Sequence, residues 1–430
     1  MVTAILFISF IILLLISVPI GIALGLASLI TILLVDPISM ETFSQSMVQG
    51  LNSFPLIAVP LFAFAGDIMG KGGVSKRLLD LIGIVFGRFT GGLGIVSIIT
   101  CLFFAAISGT GSATVAAVGC IMLPSMFEKK YDKVFSSSMI ATAGTVGVII
   151  PPSICMVVYA VAAGVSVTGL FTAGIIPGLV IGLALVIYTV FRSKKENYVG
   201  EKRTYTAKEV RRIVFEAIPA LLVPVIILGG IYGGLFTPTE AAAAAVVYGI
   251  FVSVFVYKEV RIKELPHIMF SSVYMCATVL IIIGISAGFG RILTITQAPV
   301  QIANAILSIT SSKVLILILI NVLLMIVGTF METNSAIIIL TPILLPIITQ
   351  IGVNPIHFGV IMVLNLAIGF ITPPLGANLF MACQVGNIKF DDICKGIVPW
   401  IIVMIIVLMI ITFIPEISLA LPRMMNIPIN

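Results

Sequence analysis

The sequence predicts an all-α polytopic membrane protein built from two inverted repeats, each carrying a re-entrant hairpin and a helix broken at a proline pair. Three observations lead there. The 430 residues are 60% hydrophobic and only 9% charged, with a mean hydropathy of +1.27; a soluble domain carries about 25% charge. Apolar stretches of about 20 residues, long enough to cross a bilayer, recur along most of the chain. The stretch from Pro124 to Pro177 also recurs without gaps 222 residues later. Pro124 answers to Pro346, Gly147 to Gly369, Pro151-Pro152 to Pro373-Pro374, Gly174 to Gly396 and Pro177 to Pro399. Matched helix-breaking residues in two halves of a membrane chain point to a binding site at a repeat interface.

The first element is the apolar run from about Thr3 to Val35. It is too long for a signal-peptide core and lacks a basic start, so it reads as one retained crossing at about 4–34. Further crossings are expected at about 53–70, 134–159 and 170–191. A lone helix follows at 213–234, then crossings at 240–257, 268–290, 357–381 and 397–414. Basic residues orient them. Taken alternately, the loops place 20 of the 23 lysines and arginines on one side, which the positive-inside rule makes cytoplasmic. They lie in 71–92, 129–133, 258–263, 389–395 and the linker 192–212, which includes Lys202 and Arg203. The other side keeps Arg291, Lys313 and Arg423. The N-terminus is then inside and the C-terminus outside. Equivalent loops differ in charge. Lys129–Lys133 corresponds to uncharged Ile351–Pro355, the basic segment 71–77 to uncharged Thr294–Pro299, and basic Lys258–Lys263 to Asp36–Met40. The repeats are therefore inverted, and the lone helix flips the second.

By the same count, residues 93–126 and 314–348 begin and end on one side. They are expected as re-entrant hairpins entered from opposite faces. Less apolar stretches, 77–92 and 298–313, precede them and read as amphipathic arms along the surface. Irregular backbone at membrane depth is tolerated only under a cover of protein or beside a watery cavity, so both tips belong at a central site. The chain divides into a first repeat (1–192), a linker with the unpaired helix (193–239) and a second repeat (240–430).

The first tip reads Ser108-Gly109-Thr110-Gly111-Ser112-Ala113-Thr114, and the second Gly328-Thr329-Phe330-Met331-Glu332-Thr333-Asn334-Ser335. Hydroxyls and exposed carbonyls at such bends suit a hard monovalent cation such as Na⁺. The broken helices face them, at Gly144–Ser153 and at Gly369–Asn378. A proline pair removes two donors and frees carbonyls just upstream, which can bind a cation. The half-helix after each break offers N–H groups to an anion. No lysine or arginine falls at the midplane in this topology. An anionic substrate would be held by helix N-termini, by Ser, Thr and Asn groups, and by bound cations; Thr114, Ser153, Glu332, Asn334 and Asn378 are the candidates. Asp67 and Glu332 are the acids nearest the membrane interior, while Glu216 and Glu240 lie at helix ends.

The remaining signals exclude other classes. There is no P-loop, nucleotide fingerprint, metal cluster or nucleophile–base set, so no enzyme is expected. The net charge of +6 is spread over membrane loops and is no nucleic-acid footprint. Six cysteines without CxxC spacing read as packing residues. His267 and His357 read as loop or helix-end residues. Trp400 reads as an interfacial anchor.

At these residues the chain resembles the large membrane subunit, or M-subunit, of TRAP (tripartite ATP-independent periplasmic) transporters. The likeness is carried by Ala105–Val115, Gly147–Ser153, Gly328–Glu332 and Ile371–Leu375, together with Val59-Pro60-Leu61-Phe62, and extends over nearly the whole chain. The resemblance implies an elevator-type carrier of the ion transporter superfamily kind, in which a hairpin-bearing domain moves against a fixed scaffold. It implies Na⁺ coupling and no organic cofactor. One Na⁺ site would involve Ser108, Gly147, Ile150 and Pro152 with the tip residues Gly109, Thr110 and Ser112, the other Gly328, Gly369, Thr372 and Leu375. It implies a separate small four-helix membrane subunit, a periplasmic substrate-binding protein, and residence in the bacterial inner membrane among lipid. Its substrates are C4-dicarboxylates, sialic acids and sugar acids, and Met331-Glu332-Thr333-Asn334 leans toward the sialic-acid type. The alternatives are a stand-alone Na⁺-coupled dicarboxylate or citrate carrier of similar architecture, and an ion channel.

Overall fold

A computed structural model describes residues 2–200, 205–301, 304, 310 and 312–429. The described residues are helical, without a strand. Nine helical segments among them are long and apolar enough to cross a membrane. Lys202 and Arg203, and half of the arm expected at 298–313, lie outside the described residues.

The first repeat runs α1 (Val2–Leu15), α2 (Ile20–Val35), α3 (Met40–Leu51), α4 (Ala58–Lys71), α5 (Val74–Phe86), α6 (Gly92–Ser108), α7 (Gly111–Glu128), α8 (Lys133–Thr145), α9 (Ile154–Ala163) and α10 (Val167–Lys195). After it come α11 (Ala207–Tyr232), α12 (Pro238–Ile250), α13 (Leu265–Ile295), α14 (Lys313–Phe330), α15 (Thr333–Gln350), α16 (Pro355–Gly369), α17 (Ala377–Gly386), α18 (Phe390–Phe413) and α19 (Glu416–Met424). The 222-residue offset carries α7 onto α15 at both ends, and the first residue of α8 onto that of α16. Both proline pairs break their helices where the sequence places the breaks.

Three expectations are corrected. The apolar N-terminal run is two helices, not one crossing at 4–34. Ser17 adopts a left-handed φ of 64°, Pro19 cannot continue the first helix, and α2 folds back along α1 so that Leu6 and Phe10 pack with Ala23, Leu24 and Ala27. A further amphipathic helix, α3, fills the gap before the second crossing; Ser39 caps it by accepting from the Thr42 N–H at 3.1 Å. Trp400 is no interfacial anchor. It is 1% exposed and wedged between Tyr188, at 4.6 Å between ring centroids, and Phe135, at 5.7 Å.

Close packing depends on small residues, as expected between helices in lipid. α3 lies so near α13 that a Cβ on Gly50 would sit 2.3 Å from the Ala287 Cβ. Outward faces carry bare apolar side chains such as Leu33, Phe191, Val225 and Ile281, each more than 60% exposed. Surface of that kind belongs against lipid or another membrane chain.

Candidate cation and substrate site

α6 ends at Ser108, and Gly109 turns the chain with φ +62° so that α7 starts at Gly111. A side chain is barred at Gly109, because its Cβ would lie 2.9 Å from the Pro152 carbonyl oxygen. The tip is therefore pressed onto the proline break of α8–α9. The Gly109 carbonyl accepts from the Ile154 N–H at 3.5 Å. Gly147 meets the tip from the other side; a Cβ there would fall 2.5 Å from the Thr110 carbonyl oxygen and 2.8 Å from Thr114 Oγ1. Ser108 Oγ and Thr114 Oγ1 share a hydrogen bond at 3.0 Å, and Thr114 donates to the Thr110 carbonyl at 2.8 Å. Oxygen atoms of the tip and of the break thus converge in a buried spot, with Ser108 1% and Thr114 0% exposed.

At the break, Pro151 and Pro152 deprive the Gly147 and Val148 carbonyls of their usual helical donors. Ser153 Oγ replaces one of them, donating to the Val148 carbonyl at 2.6 Å, and it also accepts from the Met156 N–H at 3.2 Å to cap α9. Thr114 and Ser153, expected to face substrate, are enclosed in this structure with their hydroxyls engaged by backbone. Ile150 is buried against Gly178.

The second tip is built differently. The Gly328 carbonyl points at Gly369, where a Cβ would lie 2.1 Å from that oxygen. α14 and α16 therefore meet backbone to backbone. Thr372 donates to the Ile368 carbonyl at 2.8 Å. The Phe370 carbonyl, left without a donor by Pro374, accepts instead from the Asn378 N–H at 3.0 Å. Glu332 caps α15: its carboxylate accepts from the Ser335 N–H at 3.0 Å and from Asn334 Nδ2 at 2.8 Å. Thr333 Oγ1 and Asn334 Oδ1 are buried with no protein partner, so they are the tip atoms that a ligand would satisfy. Leu375 is 51% exposed and offers only its backbone.

The half-helices cross over. α9, which follows the first break, packs on α15, the helix that leaves the second tip; α17, which follows the second break, packs on α7 and α8. Asn378 shows the effect. It comes from the second half of the chain, yet its Nδ2 donates to the Ala141 carbonyl at 3.1 Å and its amide lies against Gly111 and Gly144. It is 0% exposed and Asn378 Oδ1 has no protein partner. The sequence placed Asn378 with the substrate; the structure brings it to the first tip. Each half of the chain completes the other's tip.

Two cavities have polar walls, and one of them reaches the first tip. One, of about 190 Å³, lies between α4 and the first tip, with Asp67, Ser108, Thr110, Ser112, Ser271 and Met381 on its walls. The other, of about 550 Å³, opens between α3 and α13, where Thr42, Gln45, Ser46 and Gln49 face Arg291 and Thr294. The sequence reading assigned no role to Arg291, Gln45 or Gln49. Gln45 and Gln49 lie on the polar stripe of α3, a helix short enough to read as a loop, and Arg291 joins them only through the packing of α13 on α3.

Among the described residues no cluster of His, Cys, Asp or Glu is arranged to hold a metal ion. The six cysteines are free thiols. Oxygen is therefore the ligand set on offer at the tips, from backbone, hydroxyl and amide groups and, at the second tip, from the Glu332 carboxylate, and it fits Na⁺ better than a transition metal.

Comparison with known proteins agrees with this architecture. The family described as "Tripartite ATP-independent periplasmic transporter, DctM component" matches residues 7–417. The isethionate TRAP transporter permease protein DctMQ of Oleidesulfovibrio alaskensis is 48% identical over 94% of this chain, which spans 64% of that relative's length. The C4-dicarboxylate large permease DctM of Pseudomonas aeruginosa is 41% identical over 93% of this chain and 94% of its own. The sialic acid large permease SiaM of Vibrio cholerae is 35% identical over 95% of both chains. Among solved structures, the YdaH transporter of Alcanivorax borkumensis superposes with a TM-score of 0.64 at 13% identity, covering 85% of this chain and 86% of that one. MtrF of Neisseria gonorrhoeae gives 0.59 at 14%, covering 86% and 82%; both show the fold alone. These relatives are permease subunits and not enzymes. The chain belongs to the DctM family, the large membrane permeases of tripartite ATP-independent periplasmic transporters.

Proposed function

We propose that this chain is the large permease subunit of a Na⁺-coupled carrier that imports an organic acid across the bacterial inner membrane. The observation that carries the reading is the pair of glycine-and-proline junctions, in which each tip lies against a broken helix and is completed by a half-helix from the other repeat. Such junctions present backbone, hydroxyl and amide oxygens, the ligand set for a monovalent cation, and at the second tip the Glu332 carboxylate lies beside them. Ser108, Gly147, Ile150 and Pro152 with the first tip would hold one Na⁺; Gly328, Gly369, Thr372 and Leu375 would hold the second. Asn378 Oδ1 would join the first site. Thr333 and Asn334 would meet the substrate, whose charge the two cations offset. The relatives named for isethionate, C4-dicarboxylates and sialic acid define the cargo class as small organic anions. The cavity bearing Arg291 and the Gln45 and Gln49 amides is where such an anion first meets the chain.

The partners in this reading are a small four-helix membrane subunit and a periplasmic substrate-binding protein. Reconstituted with both, the complex should take up a labelled organic acid only under an inward Na⁺ gradient. Uptake at an equal rate without the binding protein would favour a stand-alone dicarboxylate carrier. Rapid non-saturating flux would favour a channel.

The repeats are read as inverted, with α6–α7 and α14–α15 as re-entrant hairpins. Length alone does not decide this, since 18 residues of helix reach about 27 Å. Counting α1 and α2 as two crossings keeps the basic loops cytoplasmic and moves the N-terminus to the outer side, opposite to the sequence expectation; the C-terminus stays outside. The tips would travel with the moving domain past a scaffold that includes α4 and α13. In a background without native cysteines, Ala63→Cys on α4 and Ala116→Cys on α7 face one another across the 190 Å³ cavity. Joining them with a short thiol crosslinker should cut uptake at least tenfold, and releasing the link should restore it. Undiminished uptake by the crosslinked protein would rule out the motion.

A further inference from the structure

The proposed Na⁺ sites leave one acid unexplained. Asp67 sits on α4 in the wall of the 190 Å³ cavity, facing Ser108, Thr110 and Ser112 of the first tip. The side chain of Ser272, from α13, donates to Asp67 Oδ2 at 2.5 Å, joining two helices 205 residues apart in sequence. Among the described residues Asp67 has no cationic partner within ion-pair distance, and none of the cavity's walls is basic. The next residue back, Gly66, touches the tip itself: a Cβ there would lie 2.8 Å from the Ser108 Cα.

A carboxylate in a partly enclosed cavity attracts cations and repels organic anions; the cation whose charge bears on Asp67 is Lys71, one turn on along α4 and outside the cavity wall. The cavity has room for about six waters at ~30 Å³ each, enough for a cation that keeps part of its hydration shell. Hydroxyls from Ser112 and Ser271 supply further oxygen.

We propose that Asp67, held by Ser272, forms a Na⁺ access site on the α4 side of this cavity, through which the cation reaches and leaves the first tip. The inference rests on the tip being a Na⁺ site and adds a path to it. Asp67 raises the local Na⁺ concentration, and the organic anion is turned away from this route. Ser272 fixes the carboxylate so that one oxygen stays free to face the cavity.

The test follows Na⁺-dependent protection of the purified full chain against thermal unfolding in detergent, with stopped-flow mixing for the rate of the Na⁺ response. D67N keeps the shape and removes the charge. It should slow the response about tenfold, at the lower end of what electrostatic focusing supplies, while protection at saturating Na⁺ is retained. D67E should recover to within about threefold of the wild type, and S272A should fall between. A D67N response within twofold of the wild type overturns the proposal. So does an equal loss of Na⁺-free stability in D67N and S272A with no change in the Na⁺ response, since the pair would then be a helix-packing contact. If Na⁺ protects neither the wild type nor the variants, the tip-site reading fails as well; if it protects all of them and the response is equally fast in all, only this inference fails.

Discussion

Gly369→Ala is expected to abolish Na⁺-driven uptake. The added methyl would have to occupy a point 2.1 Å from the Gly328 carbonyl oxygen and 2.4 Å from its carbon. Both atoms are backbone, so no side chain can swing aside. α14 would have to withdraw from α16, and the carbonyls at this junction would lose their arrangement. Overpacking of this kind costs about 1–3 kcal/mol, which lowers stability without necessarily unfolding the chain. The loss of function should be larger than the loss of stability, because a cation site tolerates little displacement of its oxygens. Gly229→Ala is the matched control: it too lies in a membrane helix, and its Cβ would meet nothing within 4 Å. The control should transport normally. Measured side by side in proteoliposomes, at least a tenfold difference is expected. Equal uptake by the two variants would show that the Gly328–Gly369 approach is only packing.

The positions of the breaks were legible because glycine and proline act through the backbone. A proline pair cannot donate to a helix in any context, and the glycines at 109, 147 and 369 sit where another chain segment occupies the Cβ position. The overall helical membrane class was legible for a similar reason, since so apolar a composition leaves few alternatives. What escaped notice depends on tertiary contact. The turn at Ser17–Pro19 is hidden in uniformly apolar sequence, and the period of hydrophobicity does not change across it. α3 is short and polar on one face, so it resembles a loop. The crossing of α9 and α17 onto the opposite tips cannot be read from spacing, because each half-helix follows its own break in sequence and joins the other repeat only in space. For the same reason Asn378 was grouped with its own repeat, and Ser272 was not connected with Asp67. Trp400 was misplaced because its position along the chain, near the start of an apolar run, says nothing about the aromatic rings that surround it.

The tips themselves carry the second large expected effect. Ser108→Ala removes a hydroxyl that bonds Thr114 inside the first tip, and Thr372→Ala removes one that bonds the Ile368 carbonyl at the second. Neither change creates a large void or introduces charge. Each should weaken Na⁺ binding at its own junction and leave the other intact, because the two junctions draw on different loops. In the proposed scheme two cations offset the cargo's charge, so either variant should cut uptake at least tenfold at physiological Na⁺. The most direct measurement is equilibrium binding of ²²Na⁺ to the purified wild type, to S108A, to T372A and to the double variant. Two paired cation junctions predict that each single variant loses one saturable component and the double variant loses both. A ²²Na⁺ isotherm unchanged in the double variant would contradict the assignment of these junctions as the sites that couple Na⁺ to transport.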